Sequence, residues 1–360
     1  MTLPISVCIL AKNEEEHIVK AIRSVASFVE EVLVLDTGST DNTVELAKQA
    51  GAKVYSTAWK DNFSEARNEL IQLANSELVL MMDADEQYVG SERELKSCVD
   101  EAAPFAGSVK IINLLDDHDQ SETYITRIFT RRHYSYEGSI HEQLTYNGIP
   151  TEAKITEISV LHYGYSKSVI EKKGKTQRNL TLLQKELKSR PKDPYLLFQI
   201  GKTLYVAQDY SQANKHFHDA LNILSTLEDE YKYTSSVVVQ YAYCLLKEKK
   251  WMELERILSE AIEKYRNYTD LYYIYAALIV ESRDAARFHL LPGLYQACLE
   301  LGEADSRRYE SSKGVGSYKA LYNLGLYYEI TGQTQEAAQC YAKSSEMNYE
   351  PSKKRLGLLN

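Results

Sequence analysis

Cysteine is scarce in this 360-residue sequence, and what there is forms no recognisable framework. The five cysteines are scattered, odd in number and make no CxxC pair. Such a set is typical of a reducing compartment, so we expect free thiols and a cytoplasmic protein. No run of 18 apolar residues occurs, and no basic region precedes the first apolar stretch. We therefore expect neither a membrane span nor a signal peptide.

Glycine motifs that bind phosphate are missing as well. No GxGxxG follows the first apolar stretch, and GxxxxGK[ST] occurs nowhere. In dinucleotide sites and P-loops these motifs bring backbone N–H groups close to the phosphates. Their absence argues against both kinds of site.

Positive charge is scarce in the first half of the chain. Residues 1–165 carry 14 Lys and Arg against 27 Asp and Glu, a net charge of −13. Residues 166–360 carry 28 and 24, a net charge of +4. Two such different surfaces predict a domain boundary near residue 165. Neither half is basic enough to favour nucleic acid as a partner.

The first half alternates apolar strand patterns with amphipathic helix patterns. The predicted strands are "ISVCIL", "VLVLD", "KVYS" and "ELVLMMD", and Asn13 is expected to cap the helix that follows the first. This order predicts an α/β domain with a mostly parallel, doubly wound sheet. Ligands of such sheets bind at the carboxyl ends of the strands. The residues expected at that edge are Leu10, Lys12, Asp36, Asp83, Ala84 and Asp85.

The pair Asp83 and Asp85 has a specific chemical use at a strand end. Alternate residues of an extended segment point the same way, so the two carboxylates lie close together. They repel each other unless a cation is present, and oxygen ligands suit Mg²⁺ or Mn²⁺. A metal held by a few carboxylates commonly takes its other ligands from water and substrate phosphates. We expect a divalent cation here that allows an acidic domain to bind an anionic nucleotide.

Four stretches together resemble the family 2 glycosyltransferases with the GT-A fold. They are "SVCILAKNEEEHIVKAIRSV", "EVLVLDTGSTDNTVELAKQ", "WKDNFSEARNELIQLA" and "ELVLMMDADE". The resemblance covers residues 3–90 and continues less clearly to about 165. With the later "RIF" and "GSIHEQL", the chain is most similar to the subgroup that includes the sublancin-type peptide S-glycosyltransferases, which modify bacteriocins (glycocins).

The resemblance implies a nucleotide-sugar donor, UDP-hexose being favoured, and a role for each matching residue. Leu10, Lys12 and Glu14 would line the base and ribose, although Lys12 stands where an aromatic residue often stacks on the base. Asp36 would hold the uracil or ribose, and Arg67 the diphosphate. Asp83 would contact ribose or the waters of the metal, and Asp85 the metal and the β-phosphate. Asp61 would either assist the donor or cap a helix.

The stretch 127–148, "RIFTRRHYSYEGSIHEQLTYNG", is dense in titratable residues. His141 is the candidate third metal ligand. Glu142 is the candidate general base of an inverting transfer, with Glu137 as the second choice. A cysteine acceptor would need the base less than a hydroxyl would. Arg127 would either balance the diphosphate or lie on a hairpin surface.

Helix pairs dominate the second half. After a Lys-rich helical linker (166–193), the residues from 194 to 360 predict an all-α domain of tetratricopeptide-like repeats. The small and large positions of the repeat recur at Leu197, Gly201, Leu204, Ala213, Phe217, Leu321, Leu324, Gly325, Ala337 and Tyr341. This half also holds 20 of the 28 tyrosines. They pack between helices, line a groove for a peptide, or form a homodimer interface.

These observations favour a metal-dependent inverting glycosyltransferase that acts on a peptide or protein side chain, Cys or Ser/Thr. The repeat domain would present that acceptor. An alternative within the same class is a saccharide or lipid-linked acceptor. An alternative of another class is a non-catalytic repeat scaffold with a vestigial transferase domain.

Overall fold

The structure is a computed structural model that describes residues 2–114, 120–163, 175–227, 231 and 233–359. Internal contacts divide the chain into two units, Met1–Ser189 and Arg190–Asn360. The predicted domain limits at 165 and 193 stay predictions. Within the described ranges, no helix combines the length and apolar character that a membrane crossing requires.

Strands form the centre of the first unit. They are β1 (Leu3–Ala11), β2 (Val29–Asp36), β3 (Lys53–Ser56), β4 (Leu78–Asp83), β5 (Glu86–Val89), β6 (Ala106–Leu114), β7 (Gln120–Thr130), β8 (Ser135–Glu137), β9 (Gln143–Tyr146), β10 (Ile149–Pro150) and β11 (Lys154–His162). The main sheet has the order β3-β2-β1-β4-β7-β6-β11-β5, and β10-β9-β8 form a small second sheet. Strands β3, β2, β1 and β4 run parallel, and β7 is antiparallel to β4 and β6. The predicted mostly parallel sheet is confirmed.

Helices cover both faces of this sheet. Those that pack on it are α1 (Ile18–Val25), α2 (Thr43–Gln49), α3 (Phe63–Leu73) and α4 (Glu92–Val99), and the first unit also contains α5 (Lys175–Ser189). Alternation along β1 supplies both cores: Val7 and Ile9 pack in the core that includes α1, and Cys8 packs on the opposite face in the core that includes α3. Burial on both faces explains why β1 reads as a continuous apolar run.

The predicted cap of the first helix is wrong. Helix α1 begins at Ile18, and the residue before it, His17, makes no side-chain cap. Asn13 lies in the left-handed region, with φ of 55°, and its side-chain oxygen accepts the N–H of Thr40 at 2.8 Å. The carboxamide thus ties the loop after β1 to the loop after β2, because short polar side chains compete well for backbone groups outside helices.

The second unit is helical throughout its regular structure. Its α-helices are α6 (Pro194–Val206), α7 (Tyr210–Leu224), α8 (Thr234–Lys247), α9 (Trp251–Lys264), α10 (Thr269–Glu281), α11 (Leu291–Leu301), α12 (Tyr318–Ile330), α13 (Thr334–Glu346) and α14 (Glu350–Leu359). A short 3₁₀ turn, Phe288–Leu290, precedes α11. Neighbouring helices pack as successive pairs, which confirms the predicted all-α repeat architecture.

Two glycines set how closely the helices of a pair approach. A Cβ added at Gly201 of α6 would lie 2.5 Å from the Phe217 ring of α7. A Cβ added at Gly325 of α12 would lie 2.6 Å from the Tyr341 ring of α13. The same small-against-large contact therefore recurs in two pairs, as the repeat pattern predicts.

Candidate active site

The ends of three neighbouring parallel strands bring the predicted residues to one edge. In the β1–β4 register Leu10 is opposite Asp83, and in the β1–β2 register Ala11 is opposite Asp36. The loop after β2 is held against β1, since the N–H of Thr37 donates to the carbonyl oxygen of Ala11 at 3.0 Å. The apolar strands are fixed by the core, so their polar ends are delivered to a common edge.

Asp83 lies between two arginines at this edge. Arg67 Nη2 donates to Asp83 Oδ1 at 2.7 Å, and Arg127 Nη2 donates to Asp83 Oδ2 at 2.8 Å. Both guanidinium groups are buried. Burial alone would raise the pKa of Asp83, but Arg127 and Arg67 hold that pKa well below its usual value. Asp83 is therefore an ionised carboxylate in an ion-pair network.

Arg67 also reaches the candidate base. Its Nε donates to Glu142 Oε1, and its guanidinium lies 5.6 Å from the centre of the Tyr136 ring. Helix α3 delivers this arginine from its first turns, and Asn62 caps that helix by accepting the N–H of Glu65 at 3.0 Å. One buried arginine thus links Asp83 to Glu142.

The loop that carries Glu142 is fixed from two sides. The N–H of Phe63, at the start of α3, donates to the carbonyl oxygen of Ser139 at 2.8 Å. On the other side, Glu186 of α5 accepts the Ser139 N–H at 2.9 Å and the Ser139 hydroxyl. Helix α5, predicted as part of a linker, therefore contributes to the geometry of the candidate site.

Asp85 lies beside a histidine that sequence reasoning missed. Asp85 Oδ1 is 3.5 Å from Nε2 of His162, at the end of β11, and His162 Nδ1 is 2.9 Å from Asn113 Oδ1. Burial would lower the pKa of His162, yet Asp85 raises it above its usual value. The signal that could have found His162 is the same as for Asp83: an apolar run, "ISVLH", that ends in a polar residue.

Glu86 is the third acidic residue, after Asp83 and Asp85, that follows the apolar run of β4. It is buried and accepts the N–H of Asp83 at 2.8 Å. Burial, followed by the charge of Asp83, raises the pKa of Glu86. Its contacts are those of a residue that shapes the loop.

The other residues predicted to contact the nucleotide-sugar lie around this edge. Both oxygens of Asp36 serve its own loop, with Oδ2 accepting the N–H groups of Gly38 and Ser39 at 3.0 Å. The Glu14 N–H donates to Thr43 Oγ1 at 2.7 Å, and Lys12 is exposed. These positions remain predicted nucleotide contacts.

The remaining predicted residues each have a different local environment. Asp61 is exposed in the left-handed region, with φ of 57°, and Asn62, not Asp61, caps α3. Glu137 accepts from the Thr145 hydroxyl at 3.3 Å. His141 has φ of 51°, in the loop between β8 and β9, and Ala84 is buried between the two aspartates. The capping alternative for Asp61 is therefore wrong, and the other predicted roles stay predictions.

The donor set at Asp85 suits a divalent cation in part. A carboxylate oxygen and an imidazole nitrogen are ligands that Mn²⁺ accepts. Among the residues that the structure describes, no group of three or more His, Cys, Asp or Glu side chains could hold a metal ion. Asp85 and His162 would therefore supply two ligands, leaving the others to water and substrate.

Residues 6–127 match the sequence model of the family described as Glycosyl transferase family 2. The matched residues lie within the first unit and include its parallel strands β1 to β4 with their carboxylate edge, so they are similar to a family 2 glycosyltransferase domain.

Relatives extend the similarity into the second unit. The chain is 27% identical over 281 residues to the SPbeta prophage-derived glycosyltransferase SunS of Bacillus subtilis, covering 76% of this chain and 66% of SunS. It therefore spans just under two thirds of that relative's length. It is also 29% identical over 230 residues to a TPR repeat-containing protein of Synechococcus elongatus, covering 60% of this chain and 56% of that protein.

Similarity to solved structures is weaker. MamA from Desulfovibrio magneticus is 16% identical, with a TM-score of 0.40, over 50% of this chain and 90% of that chain.

Proposed function

We propose that this chain transfers a hexose from a UDP-sugar to a Cys or Ser/Thr side chain of a peptide or protein, with inversion at the sugar carbon. The observation that carries the proposal is the grouping of Arg67, Arg127 and Asp83 beside Asp85 at the carboxyl edge of a domain similar to family 2 glycosyltransferases. Cationic groups and a metal-type carboxylate at one edge are what a nucleoside diphosphate requires.

The arginines would take up the charge of the leaving diphosphate. In the structure they are neutralised by Asp83 and Glu142. A diphosphate offers oxygens to the same guanidinium forks, so Arg67 and Arg127 would stabilise the negative charge that develops as the sugar leaves. A guanidinium that moves from Glu142 to phosphate would also release that carboxylate.

Glu142 would then act as the general base. It lies next to Arg67 and its loop is fixed by α3 and α5, so its carboxylate is positioned rather than mobile. Its task would be to accept the proton of the acceptor as the nucleophile attacks the sugar carbon. A hydroxyl acceptor depends on this step more than a thiol does, because a thiol is already partly ionised near neutral pH.

Asp85 and His162 would hold the divalent cation, Mn²⁺ or Mg²⁺. The cation would supply neutralisation of the diphosphate charge. Asn113 would orient the imidazole through its contact with Nδ1, as second partners of metal-binding histidines commonly do.

The test is transfer measured by intact-mass spectrometry with a panel of UDP-hexoses, Mn²⁺, and matched peptides that carry Cys, Ser or neither. We expect one hexose to be added to the Cys or Ser peptide. Glu142→Gln should lower transfer to Ser by about 10²-fold or more and transfer to Cys by less. Glu137→Gln tests the second choice, and a larger loss of transfer in Glu137→Gln than in Glu142→Gln would assign the role of base to Glu137.

Transfer to oligosaccharides but to no peptide would contradict the acceptor class and leave the transferase standing. An absence of both transfer and UDP-sugar hydrolysis, in a folded protein, would contradict the activity itself.

A further inference from the structure

A long connection in the second unit covers one face of the helix pairs. Residues 303–317, here the 303–317 segment, join α11 to α12 and contain no α-helix or strand. Its ends are close together, since a Cβ added at Gly316 would lie 2.0 Å from the carbonyl oxygen of Gly302. It is therefore a closed surface loop of the Ω type, a class that is frequently functional.

The segment contacts α6, the first helix of the first pair, and the start of α10, the first helix of the third pair. Glu310 accepts from Lys202 of α6 at 2.9 and 3.1 Å, a contact across 108 residues of sequence. Tyr309 stacks on Tyr268, with ring centres 4.2 Å apart, and the Tyr268 hydroxyl donates to the Glu310 carbonyl oxygen. In a stack of helix pairs, the first helices of all pairs line one face of the stack. The segment therefore crosses that face.

Asp270, at the start of α10, receives the centre of the segment. The Ser311 hydroxyl donates to Asp270 Oδ2, and the Ser312 N–H donates to Oδ1 at 3.1 Å. The Tyr243 hydroxyl of α8 donates to the same Oδ1 at 3.1 Å. Asp270 is completely buried, and two of these three donors come from the segment. A carboxylate without them would have to be hydrated.

These contacts have the form of peptide recognition. The face offers a ring for stacking, an ammonium group for a carboxylate, and a carboxylate for a hydroxyl and a backbone N–H. The segment makes the complementary contacts through the consecutive residues Tyr309, Glu310, Ser311 and Ser312. Each contact is a side-chain or main-chain group that a separate peptide could also present.

We propose that the 303–317 segment is a displaceable internal ligand of a peptide-binding face. The partner is an extended peptide with the same pattern, namely an aromatic residue, a carboxylate, and a hydroxyl-bearing residue followed by a free backbone N–H. This inference deepens the proposed function, because that peptide would be the acceptor. Peptide binding is measured without sugar transfer, so either one can fail alone.

Competition within the chain makes the proposal measurable. A tethered segment has an effective concentration of about 1 mM, so a free peptide must displace it before it binds. The probe is a fluorescent peptide with the sequence of residues 305–314, "DSRRYESSKG". The full chain is compared with its Tyr309→Ala/Glu310→Ala variant, which weakens the internal ligand and leaves the face intact.

We expect the probe to bind the variant at least 10-fold more tightly than the unaltered chain, by fluorescence anisotropy. Adding Lys202→Ala to the variant should reverse part of this gain. Equal binding by the two proteins, or binding by neither, would overturn the proposal, provided that circular dichroism shows native helix content.

Hydrogen exchange of the unaltered chain gives a second test that needs no variant. The amides of Ser312 and Gly314 should exchange at least 10-fold faster than the amides at the centre of α10, because a displaceable segment opens without unfolding the helices. Equal protection of the segment and α10 would show that the segment is a permanent part of the core.

Discussion

The carboxylates of Asp83 in the first unit and Asp270 in the second both lie among buried neighbours. Charged groups bind the first, and neutral hydrogen-bond donors bind the second. Asp83 lies between two buried guanidinium groups, which hold its pKa well below the usual value. Within the part of the chain that the structure describes, the donors to Asp270 are hydroxyl and backbone N–H groups, and burial raises its pKa to about 6.

The difference shows what each carboxylate is suited to. Cations keep Asp83 ionised, and the same cations are available to another anion that enters the site. Neutral donors leave the charge of Asp270 largely unbalanced, so its hydrogen bonds serve to hold a chain segment. Removing a carboxylate from water costs free energy in both units. Ion pairs offset that cost for Asp83, and hydrogen bonds from neutral groups offset it for Asp270.

The largest expected effect comes from removing Asp83. Asp83→Ala removes the carboxylate that Arg67 and Arg127 share, so Arg67 keeps Glu142 and Arg127 keeps Glu86, at 3.7 Å, as acidic neighbours. The two buried guanidinium groups then repel each other with less balancing charge, so we expect the first unit to lose about 3 kcal/mol of unfolding free energy. Urea unfolding with pulse-labelling mass spectrometry reports the two units separately. Asp100→Ala, at an exposed position, is the control. An unchanged unfolding free energy of the first unit would show that the ion pairs of Asp83 do not stabilise it.

A smaller effect is expected at the histidine beside Asp85. His162→Asn should lower the transfer rate at limiting Mn²⁺ by about 10- to 100-fold, because a nitrogen ligand or its orientation is lost. Asp270→Asn in the second unit should leave the Mn²⁺ dependence unchanged. A larger loss in His141→Asn than in His162→Asn would return the third-ligand role to the residue predicted from the sequence.

Asp270 and Asp83 should contribute to the pH dependence of stability with opposite signs. The raised pKa of Asp270 means that the folded state holds its proton more tightly, so this stabilisation is complete below the unfolded pKa and is lost as pH rises through about 6. From pH 7 to pH 5 we expect the second unit to gain about 1 kcal/mol from this group.

Asp83 acts in reverse, because its lowered pKa gives stabilisation above the unfolded pKa of about 4 that is lost as the pH falls. Unfolding of the Asp270→Asn variant at pH 7 and 5 isolates the first effect. A gain of the same size in that variant would assign the pH dependence to other groups.

The smallest effect is expected at the ion pair between Lys202 and Glu310, whose side chains are about one-third exposed. Lys202→Ala should cost the second unit less than about 1 kcal/mol, because partly exposed pairs gain little after solvation and side-chain entropy. The same unfolding measurement reports it. A cost as large as that of Asp83→Ala would remove the distinction between the two units.

Short-range patterns were enough to predict the sheet edge. Apolar runs ending in Asp36 and Asp83 depend on neighbours within a few residues, and the structure places both residues at the ends of the two strands that flank β1. The Asn13 cap was mispredicted because the loop after β2, 27 residues away, provides a better partner for its side chain. Local capping rules do not include such partners.

Long-range pairing explains what the sequence did not reveal. His162 reaches Asp85 because β11 pairs with β6 and β5. No periodicity in the sequence encodes that pairing. The 303–317 segment has no repeating pattern either, and its contacts with Lys202 and Asp270 arise only once the helix pairs have stacked.

Helix α5 has a consequence for how the chain can be divided and recombined. Glu186 of this helix holds Ser139, three residues from Glu142, and α5 belongs to the first unit. A recombination junction at residue 165 would place a foreign helix against the loop of the first unit that carries Glu142. A junction after Ser189 would let helical modules be exchanged between related chains while Glu186 and Ser139 stay together.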